Sequence, residues 1–144
     1  NAPATITRLM EMGVPEYLLA STVSSIAAQR LVRNLCPSCA EPYTPSAALL
    51  ANLPGAKAAG EAQYRQPKGC AACRGTGYRG RASIAEIMMI SDDIRELILR
   101  RAPERDIRSK AMGEGMTPLL ADGLRRAAEG LTSLDDVIRV AGLD

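Results

Sequence analysis

Residues 69–81 read GCAACRGTGYRGR, and residues 36–39 upstream of them read CPSC. Each segment holds a C-x2-C pair, thirty residues separate the pairs, and together they contain all four cysteines of the chain. Two residues between cysteines let a tight turn place both sulfurs on one edge of a tetrahedron around Zn²⁺, and two such turns complete a closed shell. The sequence therefore predicts a structural zinc site with the ligands Cys36, Cys39, Cys70 and Cys73.

The residues that follow the second pair support this prediction. Gly75 and Gly77 can adopt positive φ, so backbone N–H groups can fold back and donate to the thiolates. Four thiolates around Zn²⁺ carry net negative charge, which basic residues nearby in sequence can offset: Lys68, Arg74, Arg79 and Arg81. Because the shell leaves no open coordination position, the predicted site is structural and not catalytic.

Three other roles of the cysteines remain open from the sequence. Disulfides within or across the pairs would fit an exported protein, but nothing in the sequence suggests export. A thioredoxin-like redox pair would need a strand–C-x-x-C–helix context, which is missing, and one redox site would not need two pairs. Four unrelated buried cysteines are the third alternative. Structural zinc is the favoured interpretation.

The composition of the 144 residues is that of a globular protein, with 47% apolar residues, 24% charged residues and a net charge of +2. This length suits one domain, or a small domain with an appendage. Aromatic residues make up only 3%, so the core must be built from aliphatic side chains, which favours helices. The absence of His excludes His-dependent nucleophiles and His-ligated metal sites within the chain. Residues 1–80 carry eight Lys or Arg and four Asp or Glu, and because this basic charge is mild and aromatic residues are few, no nucleic-acid partner is predicted.

The first residues, Asn1-Ala2-Pro3, are typical of a helix cap in the middle of a chain, so we expect the chain to be cut from a longer protein. Its longest uncharged, apolar-looking stretch, residues 17–29, is too short to span about 30 Å of hydrocarbon. No signal peptide precedes that stretch. We therefore expect a soluble, cytosolic chain.

Apolar periodicity predicts two helices and a strand in the first part of the chain. A helix capped by Asn1 ends at Gly13, and a second helix opens at Pro15 and runs through Ala27. Alternating side chains then predict a short strand over residues 29–35.

Residues 36–80 are rich in Pro and Gly and are predicted to contain one short helix, capped by Thr44 or Ser46. A strand over residues 81–90 follows. The remainder is predicted to be helical, with four helices that begin at Ser91, Pro103, Thr117 and Ser133.

Sequence signals of catalysis are missing. The chain lacks the phosphate loop G-x-x-x-x-G-K-[ST], and the G-x-G-x-x-G spacing over residues 75–80 follows a cysteine turn and leads into a strand. The acidic pairs Asp92-Asp93 and Asp135-Asp136 follow capping serines, and we interpret them as charges that complement helix dipoles. We assign no catalytic and no cofactor-binding residue.

Several motifs occur in order along the chain: NAPATITRL at 1–9, GVP at 13–15, AQRLVR at 28–33 before Cys36, GCxxCxGxGYxGR at 69–81, IAEI at 84–87 and GMTPL at 115–119 before Asp122-Gly123. Together they resemble the C-terminal third of the secretion ATPases of type II secretion and type IV pilus assembly. The resemblance covers residues 1 to about 141. The segment RASIA at 81–85 departs from the more usual GRTGIYE of that family by small substitutions, which affects packing detail.

The resemblance implies an α/β fold that is mostly helical in this chain. Residues 1–35 would be the C-terminal piece of a RecA-like P-loop ATPase core, residues 36–80 a tetracysteine zinc-binding module, and residues 81–144 a helical C-terminal domain. The phosphate loop of the family, with its ATP and Mg²⁺, would lie upstream, so the chain alone is expected to be inactive.

The resemblance also implies the function of the parent protein. It would be a homo-hexamer on the cytoplasmic face of the inner membrane, where it powers pseudopilus assembly and contacts inner-membrane platform proteins, so that its own membrane contact is indirect. Type II secretion is favoured over pilus assembly because the spacer between the cysteine pairs is long. A stand-alone zinc-dependent protein-binding domain is the alternative, since C-x-x-C-x-G-x-G also occurs in the DnaJ family, which repeats it four times.

Overall fold

The computed structural model describes residues 1–57 and 61–142, which form two compact units. The first unit joins Asn1–Ala28 to Ala85–Pro118, and the second joins Gln29–Ile84 to the chain from Leu119 onward. The described helices are α1 (Ala2–Glu11), α2 (Glu16–Thr22), α3 (Ala47–Ala51), α4 (Asp92–Leu99), α5 (Glu104–Gly113), α6 (Leu119–Ala128) and α7 (Leu134–Ala141), with a 3₁₀ turn η1 at Ala71–Cys73. The strands are β1 (Ser25–Leu35), β2 (Glu41–Pro42), β3 (Arg65–Gln66) and β4 (Tyr78–Met89).

These elements form two small sheets, in which β1 pairs with β4 and β2 pairs with β3. The β2–β3 pair is antiparallel, with Glu41 opposite Gln66 and Pro42 opposite Arg65. The mixture of helices and small sheets agrees with the predicted α/β class. Of the helices described, none is both long and apolar enough to cross a membrane.

In the first unit, side chains at the helix starts satisfy the backbone N–H groups that a helix leaves unpaired. Asn1 Oδ1 accepts from the Ala4 N–H at 2.8 Å, and Ser91 caps α4. The buried carboxylate of Glu86 on β4 accepts from the Ala2 N–H at 2.7 Å. The core between these elements is aliphatic: Ala2, Ile6, Leu19, Ala20, Met88, Ile90, Ile94, Ile98, Ile107, Ala111 and Met116.

In the second unit, α6 packs against α7, and Gly123 permits the close approach. A Cβ at Gly123 would lie 2.6 Å from Val137 Cγ1, so a larger residue would force the two helices apart. Ser133 caps α7, as the sequence predicts, by accepting from the Asp136 N–H. The core of this unit comprises Val32, Leu53, Tyr64, Ile84, Leu124, Ala127, Ala128, Leu134 and Val137.

The prediction of the second helix is wrong at its C-terminal end. Helix α2 ends at Thr22, and Ile26 and Ala27 belong to β1. Val23 takes an extended conformation with ψ of 126°, and the Ser24 carbonyl accepts from the Ile90 N–H at 2.9 Å. Tertiary strand pairing thus overrides a local helical spacing that β-branched residues support only weakly. The predicted helix starts at Asn1, Ser91 and Ser133 are confirmed.

Candidate metal centre

The first cysteine pair lies directly after β1, in a tight turn. The N–H groups of Cys39 and Ala40 donate to the Cys36 carbonyl at 3.2 and 2.9 Å, which brings the two sulfurs to the same side. The Cys36 N–H in turn donates to the Gly77 carbonyl at 2.9 Å. This bond joins the first pair to the chain that leaves the second.

The second pair is held by η1. Cys70 precedes this turn and Cys73 ends it, and the Gly75 N–H donates to the Cys70 carbonyl at 2.8 Å. Arg74 adopts a left-handed conformation with φ of 55°, which reverses the chain immediately after Cys73. The local sequence C-A-A-C-R-G therefore forms a second tight turn.

The two turns bring all four sulfurs within 4.8 Å of one another. Sγ–Sγ distances are 3.7 Å for Cys70 and Cys73, 3.8 Å for Cys39 and Cys73, and 4.0 Å for Cys36 and Cys70. A tetrahedral zinc site with Zn–S bonds of about 2.3 Å has S–S edges of about 3.8 Å. The four cysteines thus fit a structural metal ion. They are free thiols in this structure, since a disulfide bond measures about 2.05 Å.

Backbone N–H groups point at the sulfur of Cys73, as the glycine spacing predicts. The N–H groups of Cys70 and Gly77 each lie 3.1 Å from Cys73 Sγ. Desolvation raises the pKa of Cys73, but these hydrogen bonds and the neighbouring Cys70 and Cys39 thiols outweigh it and lower the pKa to about 6. The donors thus favour the thiolate that a metal ion needs.

The pKa of Cys39 shifts in the opposite direction. Desolvation and the neighbouring Cys thiols raise this pKa to about 11, although a hydrogen bond from the Gly69 backbone lowers it in part. A bound cation would deprotonate all four thiols, because its charge outweighs their mutual repulsion.

The basic residues near the cluster are placed less directly than the sequence suggests. Lys68 pairs with Glu41 at 3.3 Å. Arg74, Arg79 and Arg81 are exposed and form no salt bridge with any residue in the described ranges. Their role in offsetting the charge of a metal–thiolate centre stays a prediction.

Comparison with known proteins gives the family. Residues 1–139 match the protein family described as "Type II/IV secretion system protein". The chain belongs to this family. The resemblance inferred from the motifs is thereby confirmed.

Several relatives in the secretion family match nearly the whole chain. It is 39% identical over 140 residues to the Type II secretion system protein E of Pseudomonas aeruginosa, covering 97% of this chain and 28% of the relative. It is 36% identical over 141 residues to the Type IV pilus assembly ATPase PilB of Myxococcus xanthus, covering 96% and 25%. With the Type II secretion system protein E of Xanthomonas campestris the identity is 40% over 142 residues, covering 97% and 25%. The chain thus spans about a quarter of the length of these curated relatives.

One cluster beside the cysteines of this secretion-family chain is not predicted by its sequence. Asp136, whose side chain is fully buried, accepts from the Arg33 N–H at 2.7 Å and from the Arg33 guanidinium at 2.7 and 2.9 Å. The Arg33 guanidinium lies 3.9 Å above the ring of Tyr78, and the Tyr78 hydroxyl is 2.8 Å from Ser133 Oγ. We call Arg33, Tyr78, Ser133 and Asp136 the arginine clamp.

The sequence interpretation of Asp136 as a dipole-complementing charge is incomplete. Asp136 does lie in the first turn of α7, but it also binds Arg33 and Arg139. Burial raises the pKa of Asp136, but the Arg33 N–H and the two guanidinium groups outweigh it and hold the pKa below its usual value. Arg33 and Asp136 are 103 positions apart, so no local pattern could have paired them.

Proposed function

We propose that this chain is the C-terminal part of a hexameric secretion ATPase that powers type II protein secretion at the inner membrane. The observation that carries the proposal is the family match over residues 1–139, together with relatives named type II secretion protein E at 39 and 40% identity. In this proposal the parent acts as a peripheral, cytoplasmic protein and contacts platform proteins of the secretion machine.

The three segments of the sequence receive distinct roles. Residues 1–35 end a RecA-like core whose phosphate loop, with ATP and Mg²⁺, lies upstream. Residues 36–80 form the zinc-binding module, and residues 81–144 form the helical C-terminal domain. The fit of the cysteine cluster to a tetrahedral centre supports the role of the middle segment.

Zinc is the metal that four cysteine thiolates in a tetrahedral arrangement suit best. Cys36, Cys39, Cys70 and Cys73 would hold it in a closed shell, so the ion supplies structure and no reaction step. Residues 36–80 contribute few large apolar side chains, chiefly Leu49, Leu50, Leu53 and Tyr64. In such small domains the free energy of metal binding contributes to the free energy of folding, so zinc would help to keep this segment ordered.

We expect protein purified without added metal to contain about one zinc ion per chain, since the four thiolates preorganise a complete shell. Elemental analysis measures this. Cys70→Ser should lose the ion and expose residues 36–80 to proteolysis, whereas Ser38→Ala, an exposed change within the first C-x2-C turn, should keep it. Less than about a tenth of an equivalent in the wild type, with disulfides seen by mass spectrometry, would remove the zinc assignment.

The 144-residue chain alone is expected to hydrolyse no ATP, because the sequence contains no phosphate loop. A phosphate-release assay on the purified chain should match a protein-free blank. Turnover that survives repurification and disappears with a point substitution in this chain would contradict the expectation.

Type IV pilus assembly is a second candidate function, because the pilus assembly ATPase of Myxococcus xanthus is 36% identical to this chain. Deleting the gene in its host and scoring both extracellular enzymes and surface pili separates the two. Loss of secretion with intact pili supports the type II proposal, and the reverse result supports the pilus function.

A further inference from the structure

The end of β1 leads directly into a candidate metal ligand and also holds the attachment point of α7. Asp136, in the first turn of α7, accepts from the Arg33 N–H at 2.7 Å. The Leu35 N–H donates to the Leu131 carbonyl, in the α6–α7 connection, at 2.9 Å. The next residue is Cys36. The backbone that presents the Cys36 sulfur is therefore fixed by the start of α7.

A second connection runs through the start of β4. The Gly77 N–H donates to Cys73 Sγ at 3.1 Å. The next residue, Tyr78, lies with its ring 3.9 Å below the Arg33 guanidinium. Its hydroxyl hydrogen-bonds with Ser133 Oγ, and Ser133 is the N-cap of α7. Arg33 lies three residues before Cys36, and Tyr78 directly follows the Gly77 donor to Cys73 Sγ, so both cysteine turns are close in sequence to groups that hold α7.

From these two connections we propose that Asp136 is a positioning residue for the metal centre. By holding Arg33 at the start of α7, it fixes the β1 backbone that presents Cys36, so that metal retention and the docking of α7 are coupled. The proposal rests on the metal site proposed above. Since coupling between two sites is reciprocal, the metal stabilises docked α7 to the same extent that docked α7 stabilises the metal.

The chemistry of the arginine clamp explains why one substitution can uncouple the two sites. Asp136 accepts from both Arg33 and Arg139, and its side chain has no exposed surface. In Asp136→Asn one of the two acceptor oxygens becomes an NH2 donor, so the side chain can no longer accept from both the Arg33 N–H and the two guanidinium groups. Whichever way the amide turns, Arg33 is held less firmly, and we expect the segment before Cys36 to loosen. Asp135 provides a matched control, because it is adjacent, carries the same charge and is exposed.

The test is the rate at which the full-length holoprotein transfers zinc to a chromogenic chelator. Asp136→Asn should increase this rate about tenfold, and Tyr78→Phe, which removes only the hydroxyl bond to Ser133, about threefold. Asp135→Asn should transfer zinc at the wild-type rate. Ile98→Ala, in the core of the first unit, controls for stability, since it should lower the melting temperature without changing the rate.

Hydrogen exchange tests the reciprocal direction. Removing zinc from the wild-type protein should accelerate amide exchange across α7 and leave α4, in the first unit, unchanged. Wild-type transfer rates in both Asp136→Asn and Tyr78→Phe would overturn the proposal. Equal acceleration by Ile98→Ala at the same loss of melting temperature would also overturn it. So would unchanged amide exchange in α7 after zinc is removed. If the wild-type protein contains no zinc, the proposed metal site itself is wrong. This outcome is distinguishable from a failure of the coupling proposal, in which zinc is present but its transfer rate does not respond.

Discussion

A full-length protein carrying Cys36→Ser and Cys39→Ser is expected to lose secretion, or piliation if the host depends on it for pili, while it keeps most of its basal ATPase activity. A closed shell of four thiolates performs no chemistry, so the contribution of the module is geometric. Without zinc, the two cysteine turns lose the ion that joins them, and we expect residues 36–80 to lose order. Under the proposed function, loss of the ordered module would cost coupling to the secretion machine and not hydrolysis.

The experiment combines complementation of a deletion strain with a pull-down of the membrane platform and an ATPase assay on the same purified variant. Ser38→Ala is the matched control, because it changes the same turn without touching a sulfur. Loss of zinc with wild-type secretion would show that the module is dispensable. Loss of ATPase activity in parallel with secretion would show that the module supports the catalytic core.

Gly77→Ala is expected to weaken zinc retention about a hundredfold, and Gly75→Ala about tenfold or less. Both glycines have positive φ, 75° and 79°, so both substitutions incur about 1–2 kcal/mol of backbone strain. Only at Gly77 would the new Cβ collide, at 2.4 Å from Pro67 Cβ, while Gly75 has open space around it. Relieving that overlap adds about 1–3 kcal/mol and displaces the N–H that donates to Cys73 Sγ.

Competition with a zinc chelator of known affinity measures the difference between these two variants. Because the backbone strain is common to both, the difference in zinc affinity between Gly77→Ala and Gly75→Ala measures the contribution of the contact with Pro67. Equal zinc affinities for the two variants would show that the close approach of Gly77 to Pro67 does not support the metal centre.

Sequence patterns predict those features that local chemistry determines. The caps at Asn1, Ser91 and Ser133 are recognisable because each side chain bonds an N–H three residues away. The cysteine cluster is predictable for the same reason, since each C-x2-C turn closes within a few residues. The N–H donor at Gly77 is predictable because the chain there needs a positive φ, which glycine adopts readily.

Features that depend on partners far apart in the chain are not predicted by local sequence patterns. The end of α2 is set by strand pairing at Ser24 and Ile90, which are far apart in the chain. The bond from the Ala2 N–H to the buried carboxylate of Glu86 spans 84 positions. At the end of α2 local propensity permits more than one structure and a long-range hydrogen bond decides between them, whereas at Ala2 the long-range bond adds a partner that no local pattern reveals.

The hydrogen bond between Cys36 and Gly77 has a consequence for how this region evolves. It holds the two ends of the segment of forty intervening residues side by side. The entropic cost of closing such a loop grows only logarithmically, by about 0.6 kcal/mol for each doubling of its length. We therefore expect insertions in the exposed parts of this segment to affect the β1–β4 pair little, provided that both cysteine turns and the core side chains Leu53 and Tyr64 are kept. Relatives are expected to differ in length here more readily than within β1 or β4.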